Sequence, residues 1–201
     1  TGTRISKIYI NPRDTGVQNF SMNIYCVERK KLIDMINTAF VRGQVYFERD
    51  VLAPNLESLN VQGFKYEGYA ARISDMRSYF NENMKLLDDE NLDALFSGNP
   101  IYTKIRDDNP TRYISGSEVS NVMVADGCVI EGHVENSILF RGVKVAKGAV
   151  VKNCILMQDT VIEEDARVDY TITDKKVVIS SGKEMKGADT FPLYIAKGHR
   201  V

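Results

Sequence analysis

The chain has 201 residues, 43% of them apolar, and its 26 basic and 27 acidic side chains leave a formal net charge of -1. That balance argues against a polyelectrolyte partner such as DNA or RNA, and no apolar run approaches the roughly 20 residues that span a bilayer. Cys26, Cys128 and Cys154 make neither an even disulfide set nor a C-x-x-C pair, so reduced, buried thiols in a cytoplasmic protein are expected.

In chain order, Thr1 opens without a methionine or a signal-like segment, which reads as a piece of a longer protein. Residues 7–10, 22–27 and 64–69 are rich in β-branched and aromatic side chains and read as short strands. Over residues 29–40, Leu32, Ile33, Ile36, Ala39 and Phe40 recur at helical spacing and mark one face of an amphipathic helix. Ser74 is placed to cap a second helix through Leu87, with Asp75 in its first turn and Met76, Tyr79, Phe80, Asn83 and Leu87 on one face. A third, short helix over residues 92–96 ends at the breaker Ser97-Gly98-Asn99-Pro100. Strand and helix thus alternate as in an α/β layer over residues 1–99, and the charged stretch that follows, with Pro110, makes residues 100–115 a linker.

From about Gly116 to Gly182 the pattern becomes a repeat. Val134-Glu135-Asn136-Ser137-Ile138-Leu139 returns as Val151-Lys152-Asn153-Cys154-Ile155-Leu156 and as Val168-Asp169-Tyr170-Thr171-Ile172-Thr173, 17 residues apart both times. An earlier copy beginning at Val119 leads by 15. A second phrase lies between the copies, at Gly127-Cys128-Val129-Ile130, Gly142-Val143-Lys144-Val145 and Thr160-Val161-Ile162-Glu163. Fixed-period self-similarity means stacked units that touch only their neighbours. A period of 17 is too short for helix pairs and suits three short strands joined by tight corners, a triangular coil. In the hexapeptides at 145–150 and 151–156 the leading aliphatic and the fifth residue are expected inside, and Lys147 and Lys152 in water. Cys128 and Cys154 fit as small inward residues. Asn121, Asn136 and Asn153 fall at equivalent corners, where asparagine tolerates positive φ and can stack as an amide ladder.

These repeats resemble the hexapeptide-repeat family, and the left-handed parallel β-helix expected for residues 116–201, with a C-terminal cap or extra rung after Lys183, is implied by that resemblance. The phrases Ser21-Met22-Asn23-Ile24-Tyr25, Glu67-Gly68-Tyr69-Ala70-Ala71-Arg72-Ile73 and Ser78-Tyr79-Phe80-Asn81-Glu82-Asn83-Met84-Lys85-Leu86 resemble the last third of the nucleotidyltransferase domain of bacterial ADP-glucose pyrophosphorylase, the glucose-1-phosphate adenylyltransferase family. The resemblance implies a C-terminal fragment of a nucleotidyltransferase α/β domain followed by the β-helix.

Departures from the family pattern carry the functional expectation. Catalytic members have Tyr-Trp-x-Asp-x-Gly-Thr after the Glu-Gly, and its aspartate helps to hold the nucleotide's magnesium. The matching positions run from Tyr69 to Asp75, with Arg72 in place of that aspartate, so a fixed positive charge stands where a hard cation belongs. Where members carry a lysine that contacts the sugar phosphate, Ile10-Asn11-Pro12 stands here, and Asn11 supplies no charge. Ser21, which in the family lies near the glucose phosphate, remains, as does Glu67, although Asn23 replaces the usual glycine. The family's phosphate-cradling loop lies near the start of its full-length members, ahead of any residue here.

The resemblance therefore implies a regulatory, non-catalytic subunit of the two-component enzyme of glycogen synthesis. Its expected partners are a catalytic paralogue, itself, or both, in a tetramer assembled through the flat solenoid faces. No cofactor is expected on this chain; magnesium and ATP are implied for the catalytic partner. Lys104, Arg112, His199 and Arg200 are candidates for a sugar-phosphate effector, each set against the plainer reading of a solvated charge. Two alternatives stay open: a fragment of an active sugar-phosphate nucleotidyltransferase, which needs Asp75 to compensate for Arg72, and a hexapeptide acyltransferase, which needs His133 or His199 as general base rather than as a solvated corner or terminus.

Overall fold

The computed structural model describes residues 3–11, 16, 19–98 and 100–201, so Pro12 and Asn99, both used in the sequence reading, lie outside the described residues. The chain divides into two compact units, Thr1–Glu67 and Gly68–Val201. Among the described residues no helix is long and apolar enough to cross a membrane.

In the first unit, β1 (Thr3–Arg4) pairs antiparallel with β2 (Gln62–Gly63), and α1 (Arg29–Val41) lies where the helical spacing predicts it. Residues 7–10, 22–27 and 64–69 do not form the expected strands. A strand exists only by hydrogen bonding to a neighbour, and the two-residue β1–β2 ladder is the pairing this unit shows among its described residues. Ile24 and Phe64 are exposed, and α1 buries none of its residues, so its apolar stripe of Ile33, Ile36 and Phe40 faces outward in this unit. The buried residues Val51, Leu52 and Leu56 sit on a feature the sequence reading missed, a π-helical stretch Phe47–Leu52 running into the 3-10 turn Ala53–Asn55.

The second unit begins with α2 (Met76–Met84), continued by a 3-10 turn to Leu87, and α3 (Asp89–Phe96). Asp75 rather than Ser74 is the N-cap of α2: its carboxylate accepts from Ser78 N at 2.6 Å, and the Ser78 hydroxyl accepts from Asp75 N. Asp88 caps α3, which starts three residues before its expected bound.

The parallel β-helix follows. One face stacks β3 (Arg112–Tyr113), β5 (Val129–Ile130), β7 (Lys144–Val145), β10 (Val161–Ile162) and β13 (Val178–Ile179). Two long strands, β4 (Glu118–Val124) and β6 (His133–Leu139), bend at Asn121 and Asn136 and so serve both other faces of the triangle. β8 (Val150–Lys152), β11 (Arg167–Asp169) and β14 (Glu184–Lys186) continue the second face, while β9 (Ile155–Leu156), β12 (Thr171–Thr173) and β15 (Leu193–Ile195) continue the third. Every pairing in the stack is parallel, and Val134, Val151 and Val168 lie in register, which is the 17-residue period in space. The first strand lies at Arg112, four residues before the expected start at Gly116.

The 15-residue step has a local cause. The corner that takes four residues in the next coil, Ala146-Lys147-Gly148-Ala149, takes only two here, Glu131-Gly132, so the chain cuts that corner. A Cβ on Gly132 would lie 2.7 Å from the Ala146 carbonyl oxygen and closer still to that of Ala149, so only glycine passes.

Inside the triangle, Ile130, Val145, Ile162 and Ile179 stack from one face, and Val134, Val151 and Val168 from the next. Leu139, Leu156, Cys128 and Cys154 complete the core. Each such aliphatic contributes roughly 1.5–3 kcal/mol when fully buried. The expectation for fifth positions holds at Ala149 but fails at Ile155, which is buried outside the triangle. Ile155 and Ile172 form a separate cluster with Phe80 of α2, flanked by Tyr79, Met84 and Tyr170. The strand alternation is the reason: Cys154 and Leu156 point in, so Ile155 points out. Cys26 also departs from expectation, being exposed while Cys128 and Cys154 are buried.

The C-terminal residues add a rung. Val178 N donates to His199 O, Val201 N donates to Val178 O, and Val201 packs against the core.

Candidate functional site

The residues implied in sugar-phosphate binding lie in the first unit. Asn23 takes φ +56°, a left-handed conformation that asparagine tolerates in place of the family's glycine. The turn it makes brings Asn23 N to Ser21 Oγ at 3.1 Å, and Tyr25 OH stands 3.4 Å from the same oxygen. Tyr25 OH donates in turn to Glu48 Oε1 at 3.1 Å, and burial is the first cause that raises its pKa. Ser21 is thus engaged in its own turn on an exposed surface. Glu67 pairs with Lys65, both largely exposed, and such a pair contributes little. Asn11 is exposed at φ +47°.

Arg72 lies in an exposed, irregular segment of the second unit. The carboxylate that an active site would need beside it, Asp75, is committed to the α2 N-terminus, where the Ser78 backbone N–H holds its pKa below the ordinary carboxylate range. These two residues do not fit a magnesium ion: one repels it, and the other already accepts from a helix N–H.

The effector candidates do not converge. Lys104 is exposed in the segment before the first coil, and Arg112 lies on the outer row of β3. His199 and Arg200 lie on the last rung of the same face, where Arg200 binds Glu163 at 3.0 Å and Ser180 Oγ at 3.3 Å. Five rungs separate Arg112 from Arg200, about 24 Å at the spacing of paired strands.

His133 opens β6 rather than occupying a solvated corner. Its Nδ1 lies 3.0 Å from Glu118 of the coil above and its Nε2 lies 3.4 Å from Glu135. Both ring nitrogens therefore face carboxylates, which leaves neither directed at an acyl acceptor. Glu135 also binds Lys152 at 2.8 Å, and Lys152 first, then His133, lowers its pKa. Among the described residues no group of three His, Cys, Asp or Glu side chains is placed to hold a metal ion. The Cys154 thiol is fully buried and pushed up to about 12, which removes it from redox chemistry at neutral pH.

The arrangement is thus a scaffold with ordered outer rows. Two of these were not singled out in the sequence: the stripe Ile138, Ile155 and Ile172 on the third face, of which Ile155 and Ile172 pack against Phe80 of α2, and the charged row Glu135, Lys152, Asp169 and Lys186 on the second face. Both signals were present as identical positions in successive 17-residue repeats.

Comparison with known proteins places this scaffold. A family model described as GlmU-like, C-terminal hexapeptide, matches residues 105–190. A protein of Bacillus subtilis (strain 168) named glycogen biosynthesis protein GlgD is 38% identical over 179 residues, 89% of this chain and 52% of that protein. A GlgD of Geobacillus stearothermophilus is 41% identical over 65% of this chain and 38% of its own length. A glucose-1-phosphate adenylyltransferase of the same organism is 40% identical over 53% of this chain and 28% of its own length. The chain thus spans about half the length, or less, of the curated relatives it matches.

Proposed function

The chain is a homologue of the glucose-1-phosphate adenylyltransferase family, and from that kinship we propose that it serves glycogen biosynthesis as a regulatory and assembly part rather than as a catalyst. The observation that carries the reading is Arg72 with Asp75. The position of the family's metal-binding carboxylate holds a cation, and the neighbouring carboxylate caps α2 instead of turning toward it. Magnesium and ATP belong in this proposal to a catalytic paralogue, with which the chain assembles in the cytoplasm, as a tetramer in the reading favoured here. The solenoid is the assembly element. The effector residues enter separately: Lys104 before the first coil, Arg112 on its outer row, and His199 with Arg200 on the last rung. The occupied nitrogens of His133 count against acyl transfer.

The test is an assay of ADP-glucose formation from ATP and glucose-1-phosphate, with the protein carrying this chain alone and then mixed with a catalytic adenylyltransferase. The expected result is no turnover alone and a changed rate or effector response in the mixture. Turnover by the lone protein sinks the proposal, as does a mixture that behaves as the catalytic protein by itself.

A further inference from the structure

The first coil of the β-helix is open on its upper side. β3 and β4 pair with β5 and β6 beneath them, and among the described residues no strand pairs with their other edges. Their inward positions are apolar and poorly covered. Tyr113 lies in register over Ile130 yet is 56% exposed, and Val119 lies over Val134 yet is 37% exposed. A free strand edge above an uncovered core is a template for a further strand.

The chain immediately upstream carries one. Gly127 N donates to Asn109 O, as Gly142 N does to Asp126 O and Asp159 N to Arg141 O, so Asn109 stands one rung above Asp126 and 17 residues before it. Thr111 Oγ1 donates to Ala125 O at 2.8 Å and secures the same corner. The period of the solenoid thus runs on above its first coil. Carried back by 17, it sets Tyr102 over Val119, Thr103 over Ser120, Lys104 over Asn121 and Ile105 over Val122. In that register Tyr102 and Ile105 point inward and Thr103 outward. Both inward side chains fall where the core is uncovered, and both are unburied in the present conformation, Tyr102 at 91% exposed and Ile105 at 84%. The corner admits Lys104: Asn121 holds φ +51°, and Lys176 holds φ +60° at another corner. Asp107, carried over Val124, falls in the topmost layer, where the mouth of the triangle leaves its carboxylate in water.

We propose that residues 101–107 are a strap that closes onto the free edge of β4 as an additional rung. The structure shows the strap open, anchored at Asn109 and Thr111 with its apolar side chains in solvent. Closing covers Val119 and Val122 with Tyr102 and Ile105 and gives the β4 edge a partner. It also takes up slack. The free connection from Phe96, the end of α3, shrinks from residues 97–107 to residues 97–100, each spanning at most about 3.6 Å. The strap therefore sets how closely α3 is tied to the first coil, and a ligand or partner that engages Lys104 bears on whether it closes. This device goes beyond the functional reading above and does not rest on it.

The test is disulfide trapping, with Cys26→Ser removing the exposed native thiol. Thr103→Cys with Ser120→Cys sets the two Cα atoms about 4.8 Å apart in the closed strap, within disulfide reach; Thr103→Cys with Glu118→Cys sets them about 8 Å apart, beyond it. A strap with no preferred register meets both partners equally. Each rate is divided by the alkylation rate of the same thiols, which removes differences in reactivity. The first pair should close about tenfold faster or more than the second. Adding Ile105→Asp, which puts a charge at an inward position of the strap, should bring the first pair down to the rate of the second. Circular dichroism checks that the solenoid stays folded; where Ile105→Asp disturbs it, Tyr102→Asp places a charge at the other inward position. Equal rates for the two pairs overturn the proposal, as does a first pair whose rate the inward charge leaves unchanged. No catalytic adenylyltransferase takes part in the measurement, so failure here and failure of the functional reading are separable.

Discussion

At Asn153 the backbone stands at φ +50°, and the side chain accepts from Asn136 Nδ2 at 2.6 Å while donating to Asp169 Oδ1 at 3.0 Å. One residue thus meets two demands, a left-handed corner and a rung of a polar ladder that begins at Asn121. Asn153→Ala should lose roughly 2–3 kcal/mol, from the strain of a Cβ in that conformation together with the broken hydrogen bonds. Asn153→Gly should lose only about 1 kcal/mol, because the strain is relieved. Denaturant unfolding measures both, and equal losses would show that backbone strain is not the source. Glu135 permits a second prediction. Its folded-state pKa is lowered by Lys152 first and His133 second, so its stabilisation is present above its unfolded value of about 4.3 and is lost as pH falls through the lowered folded value. Glu135→Gln should therefore be less stable than the native chain at neutral pH, with the difference closing in acid. A gap that persists in acid would mean that packing, not charge, supplies the effect.

Among the elements, α2 is held by one buried aromatic ring. Phe80 is 4% exposed, and its ring centroid lies 6.1 Å from that of Tyr170. Phe80→Ala should destabilise the Gly68–Val201 unit by about 3–5 kcal/mol, with hydrogen exchange in α2 accelerating more than in β8 and β11. Equal acceleration in helix and strands would show that α2 is not a separable cover. The helix was legible in the sequence, because Met76, Tyr79, Phe80 and Asn83 recur at its period. Its target was not legible, because Ile155 reads as an inward residue until Cys154 and Leu156 are seen to occupy the interior. The misread strands at 7–10, 22–27 and 64–69 have a related cause: side-chain propensity records what a strand prefers, and pairing depends on neighbours that composition does not reveal.

For the whole chain, the 17-residue spacing made the solenoid legible at once, since one period determines which residues stack. The candidate sites were less so. The substitutions at Arg72 and Asn11 could be read along the chain, but the commitment of Asp75 to a cap and the distance between Arg112 and Arg200 are relations across space. The coil shortened at Gly132 has a further consequence. A stack of equal coils offers the folding chain many near-equivalent alignments, each one rung out of phase and each satisfying most backbone hydrogen bonds. One coil two residues short breaks that equivalence, since a chain displaced by a rung would set a full corner where only a bare glycine passes over the Ala146 and Ala149 carbonyls. The short coil therefore acts as a key that indexes the stack, and places the same side chains at the same height in every copy of the molecule.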